Sequence, residues 1–221
     1  MKRMIEQMTI EQLLEAYPEG TAEGFAGYCD ELSAWQMIVD VAQKVLDDGC
    51  WVTADGQQRM ADISPACVAI NGSGFTLVSL PDRHDDAFDA PEIINSKTSS
   101  PDSQHSASSS AAVWSLGATV FRMVMGCNIM NGRGGKAQKA TSKLPVMRSE
   151  MPALSRLVQQ CLDFDPNKRP AMKDVLATAK ENLERCREEQ EKGPRMKPET
   201  ASSTSAVQAD SSLWPEEMIP T

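Results

Sequence analysis

Six cysteines, two histidines and a cluster of aspartates are the side chains here whose chemistry could catalyse, ligate or bind. The cysteines are Cys29, Cys50, Cys67, Cys127, Cys161 and Cys186. A zinc site draws its thiolates from closely spaced pairs. No two of these cysteines stand at such a spacing, so we read them as reduced thiols that pack as small hydrophobes, as suits a cytoplasmic setting. His84 and His105 have no nucleophile pattern beside them and read as solvated. Arg133-Gly134-Gly135-Lys136 offers glycines and cations, but a phosphate-binding loop follows a strand and ends in a Lys-Ser/Thr pair that opens a helix. Neither is present, so 127–149 reads as an exposed basic loop. Asp82, Asp85, Asp86 and Asp89 place four carboxylates within eight residues. Such a field steers a basic peptide toward the surface that carries it.

The global charge agrees with that choice of partner. The formal net charge is −9 over 221 residues. It is concentrated in the first hundred residues, which hold 17 acidic and 6 basic side chains, against 14 and 16 in the remainder. Nucleic acid and anionic lipid are therefore excluded as main partners. There is no apolar run long enough for membrane insertion, and no secretory signal after Met1-Lys2-Arg3. The length suits one domain followed by a tail.

These side chains need elements to position them. Thr9-Ile10-Glu11-Gln12 has the form of a capping box, and Ile10, Leu13, Leu14 and Tyr17 follow at helical spacing. Pro18-Glu19-Gly20 stops that helix. A second helix is expected over 33–47, with Trp35, Ile38, Val41, Ala42, Val45 and Leu46 as its apolar stripe and Gly49 as its stop. Runs 67–70 and 75–79 flank Asn71-Gly72-Ser73-Gly74, a β-hairpin signal. Residues 95–112 are Ser-rich and read as an inserted loop. Residues 113–126 form the most apolar helix. Leu154, Leu157, Val158, Cys161 and Leu162 share a helical face, Asp165-Pro166-Asn167-Lys168-Arg169-Pro170 turns, and Met172, Val175, Leu176 and Ala179 mark a last helix. From 187 to 221 apolar groups are too few to offset ordering entropy, so a disordered tail is expected, with Leu213-Trp214-Pro215 its one apolar spot.

The order of these parts resembles the C-lobe of protein kinases. A catalytic loop there leads through a small hairpin and a metal-binding loop to a segment closed by Ala-Pro-Glu, here Ala90-Pro91-Glu92. Trp114-Ser115-Leu116-Gly117 matches the buried central helix, and Leu162-Asp163-Phe164-Asp165-Pro166-Asn167-Lys168-Arg169-Pro170 matches a late C-lobe signature. The resemblance places Asp62 at the catalytic-base position, where Met60-Ala61-Asp62 replaces His-Arg-Asp. It places Ser64 at the catalytic-loop lysine, Cys67 at the metal-binding asparagine, and Ser79-Leu80-Pro81 at Asp-Phe-Gly. Phosphoryl transfer rests on positioning and on magnesium. A thiol and a hydroxyl are poor ligands for so hard a cation. The aspartate that braces the catalytic loop in kinases is replaced by Ala112. Only about 34 residues precede the second helix, and they hold no glycine-rich loop or phosphate-binding lysine.

Within that family the chain resembles the KIND module, a kinase-like C-lobe without N-lobe or catalytic residues, over 1–186. The expected fold is mainly α: a kinase-type C-lobe helical bundle with a small β-hairpin. The resemblance implies no catalysis, no cofactor and no metal. It implies instead a protein-binding role in a cytoskeletal or signalling scaffold, in which a basic or helical segment docks near Asp82, Asp85, Asp86 and Asp89. A degenerate kinase with residual nucleotide binding is the competing expectation. The resemblance further implies a Glu92–Arg169 pair, and Trp35 and Trp114 as core anchors.

Overall fold

Two side chains closing on each other's backbones start the first helix. Thr9 N–H donates to Gln12 Oε1 at 3.0 Å, and Gln12 N–H donates to Thr9 Oγ1 at 3.2 Å, ahead of α1 (Ile10–Ala16). This is the expected capping box, and it satisfies two orphan donors reciprocally. Ile10, Leu13 and Leu14 are buried. The computed structural model describes residues 8–16, 30–48, 51–52, 58–59, 63–72, 74–78, 85–99, 109–144, 146–147 and 150–192. Tyr17, the Pro18-Glu19-Gly20 stop, Gly49 and residues 193–221 of the expected tail therefore lie outside the described residues, while 187–191, expected as part of a disordered tail, instead continue the last helix, which runs to Glu191.

The second helix, α2 (Glu31–Asp48), starts two residues before the expected Ser33. The reason is Asp30, whose carboxylate accepts from Ser33 N–H at 2.7 Å and acts as the N-cap. Trp35, Ile38, Val41 and Ala42 are buried together with Ala34 and Met37. The expected stripe fails at its end: Val45 is half-buried and Leu46 is 43% exposed. No side chain described after Ala42 in this helix is buried, so its last turn projects past the core.

Strands β1 (Trp51–Val52) and β2 (Gln58–Arg59) pair antiparallel, a small ladder the sequence pattern did not announce. Strands β3 (Val68–Asn71) and β4 (Gly74–Leu77) form the expected hairpin, in register Val68↔Leu77 through Asn71↔Gly74. Gly72 has φ +62°, which a two-residue turn of this kind requires. An α2 side chain fixes the hairpin: Asp40 Oδ2 accepts from Phe75 N–H at 2.8 Å while Asp40 Oδ1 accepts from Gln36 Nε2 at 2.8 Å. Gly74 leaves room for this, since a Cβ there would lie 2.7 Å from Asp40 Oδ2. Thr9 bridges to Ala69, and Ile70 N–H reaches Met8 O at 2.9 Å, so the segment before α1 extends the hairpin edge.

Four more helices complete the described bundle: α3 (Pro91–Ser99), α4 (Ser109–Met125), α5 (Pro152–Cys161) and α6 (Met172–Glu191). The Ser-rich segment expected as a loop over 95–112 is thus helical at both ends, over 95–99 and 109–112; residues 100–108 lie outside the described residues. At its start, α3 continues a helix opened by Pro91, a favoured first position. At its end, Ala111 and Ala112 already pack in the core and draw α4 backwards. The helix α2 lies along α6, α4 packs on α5, and the hairpin covers α2. Trp35 and Trp114 are both fully buried, with Leu116, Phe121 and Leu157 in the same cluster. No helix among the described residues is long and apolar enough to cross a membrane.

The expected exposed loop over 127–149 is also corrected. Gly134 and Gly135 are buried in a 3₁₀ turn (Gly134–Ala137) that packs against a second 3₁₀ turn (Asp86–Phe88). A Cβ on Gly134, itself at φ +57°, would collide with Ala87 O, and one on Gly135 would collide with Asp89 O. The two backbones touch because no side chain stands between them. Gly132, at φ +85°, has nothing within 4 Å of a built Cβ. Gly132→Ala should therefore cost about 1–2 kcal/mol, the left-handed penalty alone. Gly135→Ala has no such φ but must displace the 85–91 backbone, so it should lower the urea midpoint more than Gly132→Ala does. The reverse order would show that this contact does not hold the segment.

Candidate functional site

The loop that enters the hairpin contains two of the four candidate chemical positions. Ser64 is buried, and its carbonyl accepts from Cys67 N–H at 2.9 Å, closing a tight turn. The Cys67 side chain is 2% exposed, and its carbonyl accepts from Val78 N–H at 2.8 Å. Asp62 and Ser79 lie outside the described residues. This turn is tied to the bundle by Thr119, whose hydroxyl lies 3.1 Å from Ile63 O and 2.9 Å from Ser115 O on its own helix. Ala112 is buried and has no polar group to offer. A neutral hydroxyl one turn after Ser115 thus holds the carbonyl of the loop, a contact that no motif in the sequence signalled.

The acidic segment comes next. Asp85 caps the 3₁₀ turn Asp86–Phe88, its Oδ1 accepting from Ala87 N–H at 2.9 Å. Asp85 and Asp86 are exposed and Asp89 is half-buried, while Asp82 lies outside the described residues. The structure therefore brings three of the four expected carboxylates onto one short turn, two of them fully at the surface. Phe88 is buried and anchors the turn from below, and Phe88 O lies 2.7 Å from Ser115 Oγ on α4.

Immediately after it, Glu92 in the first turn of α3 meets Arg169. The pair expected from the sequence is formed, and it is bidentate: Nη1 to Oε1 at 2.7 Å and Nη2 to Oε2 at 2.8 Å. Arg169 also donates from Nε to Asp163 O at 2.7 Å, from Nη1 to Ser110 O at 3.0 Å and from Nη2 to Phe164 O at 3.3 Å. All five N–H groups of the guanidinium are used, and its side chain has no exposed surface, against 29% for Glu92.

Trp114 is held by a relay the sequence did not reveal. Its Nε1–H donates to Gln138 Oε1 at 2.9 Å, and Gln138 Nε2 donates to Leu162 O at 2.7 Å. All three groups are buried. Gln138 sits in a stretch of basic and small residues where nothing in its neighbourhood marks it out.

Among the described cysteines, Cys67, Cys161 and Cys186 are buried and Cys127 is exposed. Burial pushes the Cys161 thiol up to about 12, partly opposed by the nearby Arg169 guanidinium. Burial, and then the Glu31 carboxylate, raise Cys186 to about 11. Both thiols are protonated and unreactive at neutral pH, because the nucleophile is the thiolate.

Removing the Glu92 carboxylate strands a charge that has no access to water. Breaking a buried pair from one side costs about 3–5 kcal/mol, so Glu92→Ala should lower stability in urea by an amount near the bottom of that range, since Glu92 itself retains some solvent. Glu92→Gln should recover part of the loss by keeping one acceptor for Arg169. An unchanged midpoint in Glu92→Ala would remove the pair from the list of fold determinants.

The protein kinase domain model matches residues 65–179, just over half of the 221 residues. No curated protein matches the chain.

Proposed function

The chain belongs to the protein kinase domain family, and from that premise we propose that it acts as a non-catalytic protein-interaction module of the KIND type, binding a basic or helical peptide segment. The observation that carries this reading is Cys67. It stands where kinases of the family place a magnesium-binding asparagine, and here it is a buried thiol whose backbone N–H and C=O are both engaged within the turn and hairpin. A thiol with no route to solvent is a poor partner for a hard, hydrated cation. Ser64, at the position of the catalytic-loop lysine, is buried as well and brings no charge to a phosphate.

Binding in turn is supported by the segment that leads from the hairpin to α3. Its described carboxylates are carried on a turn held by Phe88 in the core and, a few residues further on, by Glu92 on Arg169. A surface held in one geometry loses little entropy when a partner docks. A lysine-rich amphipathic helix would find there a dense negative field on a rigid support, in the manner of peptides laid against a preformed groove.

The first test addresses chemistry. Magnesium ATP present at a hundred times its dissociation constant would add about 2.7 kcal/mol of stability, or about 5–10 °C in melting temperature for a domain of this size. The expected shift in a thermal melt is zero. A clear rise would replace the binder with a degenerate kinase that retains its nucleotide.

The second test addresses the acidic segment. Replacing Asp82, Asp85, Asp86 and Asp89 with Asn keeps the cap at position 85, because Asn is an equally good N-cap, and removes the four charges. Association with a lysine- and arginine-rich amphipathic peptide should slow and lose most of its salt dependence, since steering of exposed charges is screened over about 8 Å at physiological ionic strength. Rates and salt dependence equal to those of the parent chain would place the partner elsewhere.

A further inference from the structure

The C-terminal end of α4 opens into a cavity of about 730 Å³ that neither the acidic segment nor the loop at Cys67 uses. Its described lining includes Phe121, Ile129 and Met130 as apolar wall, Arg122 and Lys143 as cations, and Asn128. No described lining residue is acidic, in a chain whose net charge is −9. The Oδ1 atom of Asn128 is buried and has no hydrogen-bond partner among the described residues. A buried acceptor without a donor costs about 1–3 kcal/mol, a cost that a ligand N–H would relieve once the Asn128 amide turns toward the cavity. Arg122 donates to Gly126 O and Lys143 has no ion-pair partner among the described residues, so cationic capacity is left over. The occupant must therefore carry apolar bulk, negative charge and an N–H donor in a short span.

Residues 213–219, Leu-Trp-Pro-Glu-Glu-Met-Ile, carry all three. We propose that this cavity is the docking site of the chain's own C-terminal segment, with Trp214 against the apolar wall and Glu216 and Glu217 facing Arg122 and Lys143. The indole N–H is a donor with no acceptor function, which suits the unpartnered Asn128 oxygen. The two glutamates suit a pair of cations with no acidic neighbour in the described lining. The tether is long enough: the chain from 192 to 213 reaches at most about 70 Å when extended, against about 40 Å across a domain of this size. This inference does not rest on the interaction role proposed above, because none of the cavity's described lining residues belongs to the acidic segment.

Cys127 lines the same cavity and is exposed, which makes its alkylation a direct reporter of occupancy. A tether gives an effective concentration of about 1 mM, so a contact with a dissociation constant of about 0.25 mM protects about fivefold. In the full chain, Trp214→Ala should raise the rate of Cys127 alkylation by iodoacetamide about fivefold. The double variant Glu216→Gln, Glu217→Gln should raise it by a smaller factor that disappears at high salt. Asn128→Leu should raise it as Trp214→Ala does, without adding to it in the double mutant. An unchanged rate in Trp214→Ala overturns the proposal. So does protection that grows with protein concentration, which would assign the cavity to the tail of a second copy.

Discussion

A single guanidinium with no access to water sets the arrangement of the described bundle. Arg169 brings together the first turn of α3 through Glu92, the start of α4 through Ser110 O, and the segment just after α5 through the carbonyls of Asp163 and Phe164. A buried charge is tolerated only when its hydrogen-bonding capacity is met, and here every donor is matched. The consequence is geometric. Four acceptor groups from three elements must converge on one planar fork, so α3, α4 and α5 cannot shift independently. Neutral packing would allow a continuum of small adjustments; the fork allows one arrangement.

That constraint reaches the acidic segment through a short chain of contacts. Glu92 fixes the start of α3, and Phe88 and Ser115 hold the turn before it. Gly134 and Gly135 then admit a second backbone against that turn from outside, at a separation that any side chain would prevent. The turn at 86–88 is thus clamped on the inside by a phenyl ring and on the outside by peptide groups. Asp85 and Asp86 project from a frame that has little freedom of its own, which is what a recognition surface needs and what a regulatory loop that must refold does not offer.

How much of this was legible in the sequence depended on whether the determining interaction was local. The capping box at Thr9 and Gln12, the Asn71-Gly72 turn and the stripe through Trp35, Ile38 and Val41 are all written in periodicity or in residues three apart, and each is found in place. Glu92 and Arg169 lie 77 residues apart, and only resemblance to a family joined them. Asp40, Thr119 and Gln138 were missed for one reason: each is an ordinary polar residue whose importance comes from a partner distant in sequence, Phe75 N–H, Ile63 O, and the Trp114 indole with Leu162 O. The double glycine at 134–135 reads from the sequence as part of an exposed loop, yet both residues are buried. Glycine marks a close backbone approach as readily as a surface loop, and composition alone does not separate the two. Leu46 was misplaced because helical phase tells which face a residue shares, not how far along the helix the core extends.

The replacement of a charged brace by a hydroxyl has a physical logic of its own. At the head of α4 the position of the family's aspartate is Ala112, yet the loop entering the hairpin is still fastened to that helix, through Thr119 Oγ1 to Ile63 O. A carboxylate at this depth requires several donors to offset its desolvation, and those donors would have to be loop N–H groups held open for it. In this chain Cys67 N–H is spent on Ser64 O and Cys67 O on Val78 N–H, so that part of the loop satisfies itself internally. What remains to be anchored is a carbonyl, and for a carbonyl a neutral donor suffices. Thr119 supplies it at little desolvation cost, and the same hydroxyl lies within reach of Ser115 O on its own helix when the loop contact opens. A turn that closes on itself and hangs from a neutral tie keeps its place in the fold without a buried carboxylate at position 112.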